Sequence, residues 1–192
     1  MVHARQIDGR TLDFGVSGKL WRNSLVMQDR QTGSLWSHVT GEALAGELAG
    51  AELEILPAVQ TTWSAWRQQH PDTEVLRKEG EVRSSRYAEY FADPDRTGLF
   101  RTRWLRERLP GKTLVYGLRH GPHAVAVTPD ALRGGTPREV TLGDLTVTVA
   151  RTDDGGARAW STGPDGERRA RDVLEVFWFA WSSFFPSTRV ID

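Results

Sequence analysis

TTWSAWRQQHPDTEVL (61–76) and VFWFAWSSFFPSTRVI (176–191) align without a gap at a constant offset of 115 residues. Trp63 meets Trp178, Ala65 meets Ala180 and Trp66 meets Trp181, then Pro71 meets Pro186, Thr73 meets Thr188 and Val75 meets Val190. Two of these identities are tryptophan, a rare residue, so the chain reads as a duplication, one supersecondary unit used twice. Upstream, LWSHVTG (35–41) resembles AWSTGPD (159–165), with Trp36-Ser37 over Trp160-Ser161.

Each segment reads as a short helix. In the first, a threonine N-cap opens the helix and Pro71 closes it. Trp63, Trp66 and His70 fall at i, i+3 and i+7, on one face. The second segment is apolar on nearly every side and is expected to be buried. Each helix is expected to cover its own small sheet. Burying one tryptophan contributes on the order of 5 kcal/mol, so both W-x-x-W pairs are expected in the core. An aromatic platform for sugars or bases is the alternative; recurrence at equivalent helical positions speaks against it.

Around the helices the pattern is β. Residues 11–16, 24–28, 35–39 and 52–56 read as strands, punctuated by Gly15, Gly18, Gly33 and Pro57. After an irregular, partly helical connector (83–108), residues 113–118 and 124–127 flank His120-Gly121-Pro122-His123 as a hairpin. Residues 139–150 hold two more strands around Gly143-Asp144. The expected fold class is α+β and β-rich, two tandem diverged copies of a small sheet plus one Trp-containing helix. The copies span 1–109, with the connector, and 110–192, packed as one globular body.

Composition narrows function. Lysine plus arginine equals aspartate plus glutamate at 25 each, so the basic excess of a nucleic-acid binder is missing. The cluster Arg101, Arg103, Arg106, Arg108 reads as a solvated helix face. The chain has no cysteine, which excludes disulfides, thiol catalysis and thiolate metal ligands. No apolar run is long enough to span a membrane. The start MVHARQIDGR shows no signal peptide, which reads as cytoplasmic.

Gly15-Val16-Ser17-Gly18-Lys19 fits neither a phosphate-binding loop nor a nucleophile elbow, because the glycine spacing and the residues after it are wrong. His120 and His123 lie across a turn without an identifiable third ligand, so no metal site is assigned. His38 beside Trp36 reads as a surface histidine. His70 lies on the Trp face, and its counterpart is Phe185, which favours a packed histidine over a general base. The polar and aromatic positions Asn23, Ser24, Asp29, Arg30 and Trp36 lie within one hairpin-like stretch. Asp153-Asp154, counted back from Trp160, replaces Asp29-Arg30 in the second copy. Arg30 is therefore read as specialised to the first copy, offering a planar cation to a small anionic ligand.

These residues carry a family pattern. FGVSGKLWRNSLVMQDRQTGSLWSHVTGEALAGELAG (14–50), LPAVQTTWSAWRQQHPDT (56–73), RLPGKTLVYG (108–117) and the terminal FWFAWSSFFPST resemble the DUF3179 family, a family of unknown function. Complete members of that family carry, ahead of the matched region, strands and a Cys-Pro-Leu segment that hints at redox chemistry. No cysteine is present here to receive it. Where the family has tyrosine before Asp29, this chain has Gln28, and its second-copy histidine is Phe185. Together with the Arg30 reading, this gives the expectation of a soluble, non-redox member of the family that binds a small anionic ligand or a partner in the groove between its two units, without a cofactor. Acid–base catalysis by His38 or His70 with Asp29, homo-oligomerisation and completion by a partner chain are the alternatives. Asn23, Ser24, Asp29, Arg30, Trp36, His38 and His70 are the candidate site residues.

Overall fold

The fold is that of a computed structural model describing residues 1–76, 88–94, 96–98 and 108–192. It is β-rich with few helices. The first part begins with three two-residue strands, β1 (Val2–His3), β2 (Gln6–Ile7) and β3 (Arg10–Thr11). A four-stranded antiparallel meander follows in the order β4 (Phe14–Trp21), β5 (Ser24–Asp29), β6 (Leu35–Ser37) and β7 (Ala43–Ala45). β8 (Ile55–Leu56) pairs back on β1. Arg22 and Asn23, both with positive φ (50° and 62°), make the two-residue turn between β4 and β5. That left-handed pair matches the twist of a tight hairpin. Leu12, Trp36, Ala43 and Leu53 form the buried centre here, with Phe14 packed edge-on to Trp36 at 5.8 Å.

Helix α1 (Trp63–Gln69) comes next, capped by Thr62, whose hydroxyl accepts the Ala65 N–H. The connector between residues 83 and 108 lies mostly outside the described residues; its described part contains α2 (Ala88–Ala92).

The second part is a layered structure whose logic is strand alternation. β9 (Leu114–His120) and β10 (His123–Val127) form a hairpin through Gly121-Pro122. β11 (Arg138–Leu142), β12 (Leu145–Arg151), β13 (Ala157–Thr162) and β14 (Arg168–Arg171) form a second antiparallel meander. β15 (Leu174–Phe177) pairs with β9, helix α3 (Trp178–Phe184) follows, and β16 (Arg189–Ile191) pairs in parallel with β10. The sheet order is β15-β9-β10-β16. Successive side chains on a strand face opposite ways, and both faces are used. Tyr116, Leu118, Val125 and Val127 pack on the meander through Val140, Val147 and Val149. Val115 and Ala126 face α3 and pack on Trp178 and Trp181. Gly117 belongs to the α3 face, where a Cβ would lie 2.2 Å from the Trp181 ring. Only glycine lets the indole lie that close to the strand.

The expectation that both tryptophan pairs are core holds for one of them. Trp178 and Trp181 are 0% and 2% exposed, whereas Trp63 and Trp66 are 50% and 41% exposed. α1 has no buried residue. Among the described residues no strand lies beneath it, so the apolar area that would bury these rings is missing.

Among the described residues the two parts meet at several points. Arg22 donates to the Ser183 and Phe184 carbonyls (2.8 and 3.2 Å), the free acceptors at the end of α3, while Trp21 meets Phe184 edge-on at 5.2 Å. A cation at a helix C-terminus is electrostatically favourable. On the other side Arg119 donates to the Thr40 carbonyl at 3.0 Å and pairs with Glu52.

Candidate functional site

An open groove of about 720 Å³ runs between the two parts. Leu118, Leu142 and Val147 supply apolar floor, and Glu52, Arg119, His120, Arg171 and Asp172 supply polar, ionisable groups. Their placement follows from local structure. Leu118 turns into the core, so Arg119, the next residue of β9, projects from the opposite face. Arg171 ends the edge strand β14 and donates Nε–H to Ser161 Oγ at 2.9 Å. Asp172 follows it directly and is half-buried.

Burial raises the Asp172 carboxyl above its ordinary value, against the opposing pull of the Met1 ammonium, His3 and Arg119. Behind the rim, His3 Nε2 donates to the His38 carbonyl oxygen at 2.9 Å. A carbonyl can only accept, so Nε2 carries the proton. His3 Nδ1 is buried without a hydrogen-bond partner among the described residues. Burial, the Met1 ammonium and His3 lower the His38 pKa, so its ring is neutral at pH 7. The groove thus combines two guanidinium groups with a carboxyl that resists ionisation, and His38 stands behind it. Planar, permanently charged guanidinium groups are suited to a carboxylate or phosphate.

A second concavity of about 610 Å³ lies between α1 and the β12–β13 turn, lined by Thr62, Gln68, Arg151 and Arg158 among others. There the nearby Thr152 hydroxyl, together with hydrogen bonds from the Thr61 hydroxyl and the Thr62 N–H, holds Asp154 at a pKa of about 2. This carboxylate fastens the start of α1 to the second part.

The positions singled out in the sequence are distributed over several places. Asp29 and Trp36 come together in the first core. Asp29 is 1% exposed, accepts Trp36 Nε1–H at 2.8 Å, and also accepts the backbone and hydroxyl of Thr32 at 2.6 and 2.9 Å. Burial raises its pKa, but those donors outweigh it and the net shift is downward. Arg30 is exposed at the following turn, its backbone N–H donating to Asp13 O at 2.9 Å. Asn23 and Ser24 lie at the opposite end of β5, near the end of α3. His38 stands behind the groove, and His70 is the C-cap of α1, its ring 4.0 Å from that of Trp66. His120 and His123 are cross-strand partners, and His120 Nε2 lies 3.2 Å from Asp144. Among the described residues no group of three or more His, Asp or Glu side chains is placed to hold a metal ion.

Sequence reading did not single out Arg119, Arg171 or Asp172. Arg119 comes from β9 and the adjacent Arg171 and Asp172 from the end of β14, and the two places converge only through the sheet register. The one local signal was the Arg171-Asp172 pair closing an otherwise basic edge strand.

No helix among the described residues is long and apolar enough to cross a membrane. No curated protein and no solved structure matches the chain. A family profile described as "Protein of unknown function (DUF3179)" matches residues 1–188. With nearly its whole length covered, the chain belongs to the DUF3179 family.

Proposed function

We propose that this protein is built from two diverged copies of one unit, divided near residue 110, and that the groove between them binds a small anionic molecule. Matching local geometry at the two W-x-x-W helices supports the duplication. Thr62 and Phe177 occupy the N-caps with φ/ψ of −77°/152° and −69°/142°, and His70 and Phe185 the C-caps with −131°/70° and −123°/70°. Trp66 donates its indole N–H to Thr73 at 2.9 Å, and Trp181 donates to Thr188 at 2.9 Å.

The observation that carries the binding reading is the convergence of Arg119, Arg171 and half-buried Asp172 on one apolar-floored groove. Arg119 is partly committed to Glu52, so Arg171 is the principal anion holder. Asp172, when protonated, donates a hydrogen bond to the same anion. Calorimetric titration with inorganic phosphate and with succinate tests this on the wild type and on Arg171→Gln. Binding that weakens about tenfold in the variant, the loss of one charge-assisted contact, is the expected result. Equal affinity for the two proteins removes the assignment.

The opposite shifts of Asp172 (up), in the groove, and His38 (down), behind it, favour acid–base chemistry as a second reading, because such shifts draw a carboxyl and an imidazole toward a common working range. An NMR titration in which both groups keep their ordinary values removes that reading.

A further inference from the structure

The exposed tryptophan face of α1 has an internal template for what covers it. At the 115-residue offset Val59, Trp63, Trp66, Val75 and Leu76 correspond to Leu174, Trp178, Trp181, Val190 and Ile191. The first five are 47%, 50%, 41%, 65% and 98% exposed. Their counterparts all pack into the second part's cores or sit in α3. One element makes that difference: β9–β10 lies between β15 and β16 and beneath α3. Residues 59–62 and 73–76, the counterparts of β15 and β16 and the residue before it, belong to no strand. Thr62 gives its N–H to Asp154 and its carbonyl accepts the Trp66 N–H, and Thr73 gives its N–H to His70; among the described residues no backbone–backbone hydrogen bond is made by 59–61 or 74–76.

We propose that the tryptophan face of α1 is a docking site for a β-hairpin of a partner polypeptide, which inserts between residues 59–62 and 74–76 as β9–β10 inserts between β15 and β16. This rests on the duplication reading above. The required chemistry follows from the template. The strand under Trp66 carries a glycine, as Gly117 lies under Trp181. The positions facing the helix are small or β-branched, as Val115, Ala124 and Ala126 are. A second copy of this chain fits poorly, because the five side chains expose on the order of 600 Å², below the roughly 800 Å² per partner of a standard interface. An added hairpin gains main-chain hydrogen bonds on both edges besides the apolar contact.

The probe is a backbone-cyclised peptide of residues 112–128, preformed so that its own ordering does not limit binding. Hydrogen exchange of the intact protein is followed with and without millimolar peptide. The expected result is slowing of about tenfold or more at the amides of 59–62 and 74–76, with a blue shift of tryptophan emission. Both responses should vanish for the Trp63→Ser/Trp66→Ser double variant, and for the wild type with peptide carrying Gly117→Val. Circular dichroism checks that the double variant is folded, which its solvent-exposed positions favour. Unchanged exchange with the wild-type peptide overturns the proposal, as does a response that persists in the double variant. A dimer forming without peptide and lost in that variant also overturns it, in favour of a second copy. If a crystal structure superposes 61–76 on 176–191 while exchange stays unchanged, docking alone fails; if the segments do not superpose, the duplication fails.

Discussion

α1 and α3 have the same W-x-x-W core and the same indole-to-threonine bond, yet one stands in solvent and the other at the centre of the molecule. The local geometry follows from local sequence: an extended N-cap residue, two turns of helix, a C-cap ring packed at a tilt on the second tryptophan, and a threonine seven residues on. Burial follows from the surroundings. α3 rests on a hairpin whose strand alternation presents Val115, Gly117 and Ala126 to it. Nothing comparable lies beneath α1 among the described residues. A repeated sequence therefore specifies the shape of each element without specifying its environment.

The largest difference expected from this contrast is in the second tryptophan of each helix. Trp181→Ala should cost about 3–5 kcal/mol, as for any large buried ring, whereas Trp66→Ala should cost under about 1 kcal/mol. Urea unfolding midpoints measure both, and similar losses would mean that α1 is covered in solution. Next comes the strand beneath α3. Gly117→Val forces a branched side chain into the space of the Trp181 ring and should cost at least about 1–3 kcal/mol, read from the same unfolding curves.

The threonines sharpen the comparison at a smaller scale. Thr188 is 2% exposed and receives the buried Trp181 indole N–H. Thr188→Val leaves that donor unpaired, at a cost of about 1–3 kcal/mol. In the first part Thr73→Val should change stability by only a few tenths of a kcal/mol, because water replaces the lost acceptor.

The smallest effect concerns acid. Asp29 has a folded-state pKa below its ordinary 3.8, so in the relevant window the unfolded chain binds the extra proton. Its stabilisation is complete above the unfolded value and is lost as pH falls through the folded value. Asp29→Asn should remove that part of the acid dependence of the melting temperature. A variant with the wild-type acid slope would show that the Trp36 and Thr32 donors do not hold the carboxylate ionised.

Much of this architecture was legible in sequence because its signals are local. The Gly121-Pro122 and Gly143-Asp144 turns lie where turn chemistry places them, the apolar run from Val176 forms the buried α3, and the N-cap threonine opens α1. The exposure of Trp63 and Trp66 was not legible, since a helix carries its apolar face in its sequence but not the surface that meets it. Asp29 and Trp36 were visible as a polar–aromatic pair; only the three-dimensional structure shows the indole closing on a buried carboxylate. The groove residues Arg119, Arg171 and Asp172 were invisible for another reason. Arg119 is far along the chain from the Arg171-Asp172 pair, all three are ordinary in type, and the folding of β9, β14 and β15 into two layers is what collects them.

Native-state hydrogen exchange of the free protein, resolved at single amides, tests the contrast between the two helices most directly. The account predicts that amides of 63–70 in α1 exchange through local opening, at rates far above those of 178–185 in α3, which should exchange only with global unfolding. Equal protection of the two helices would contradict it.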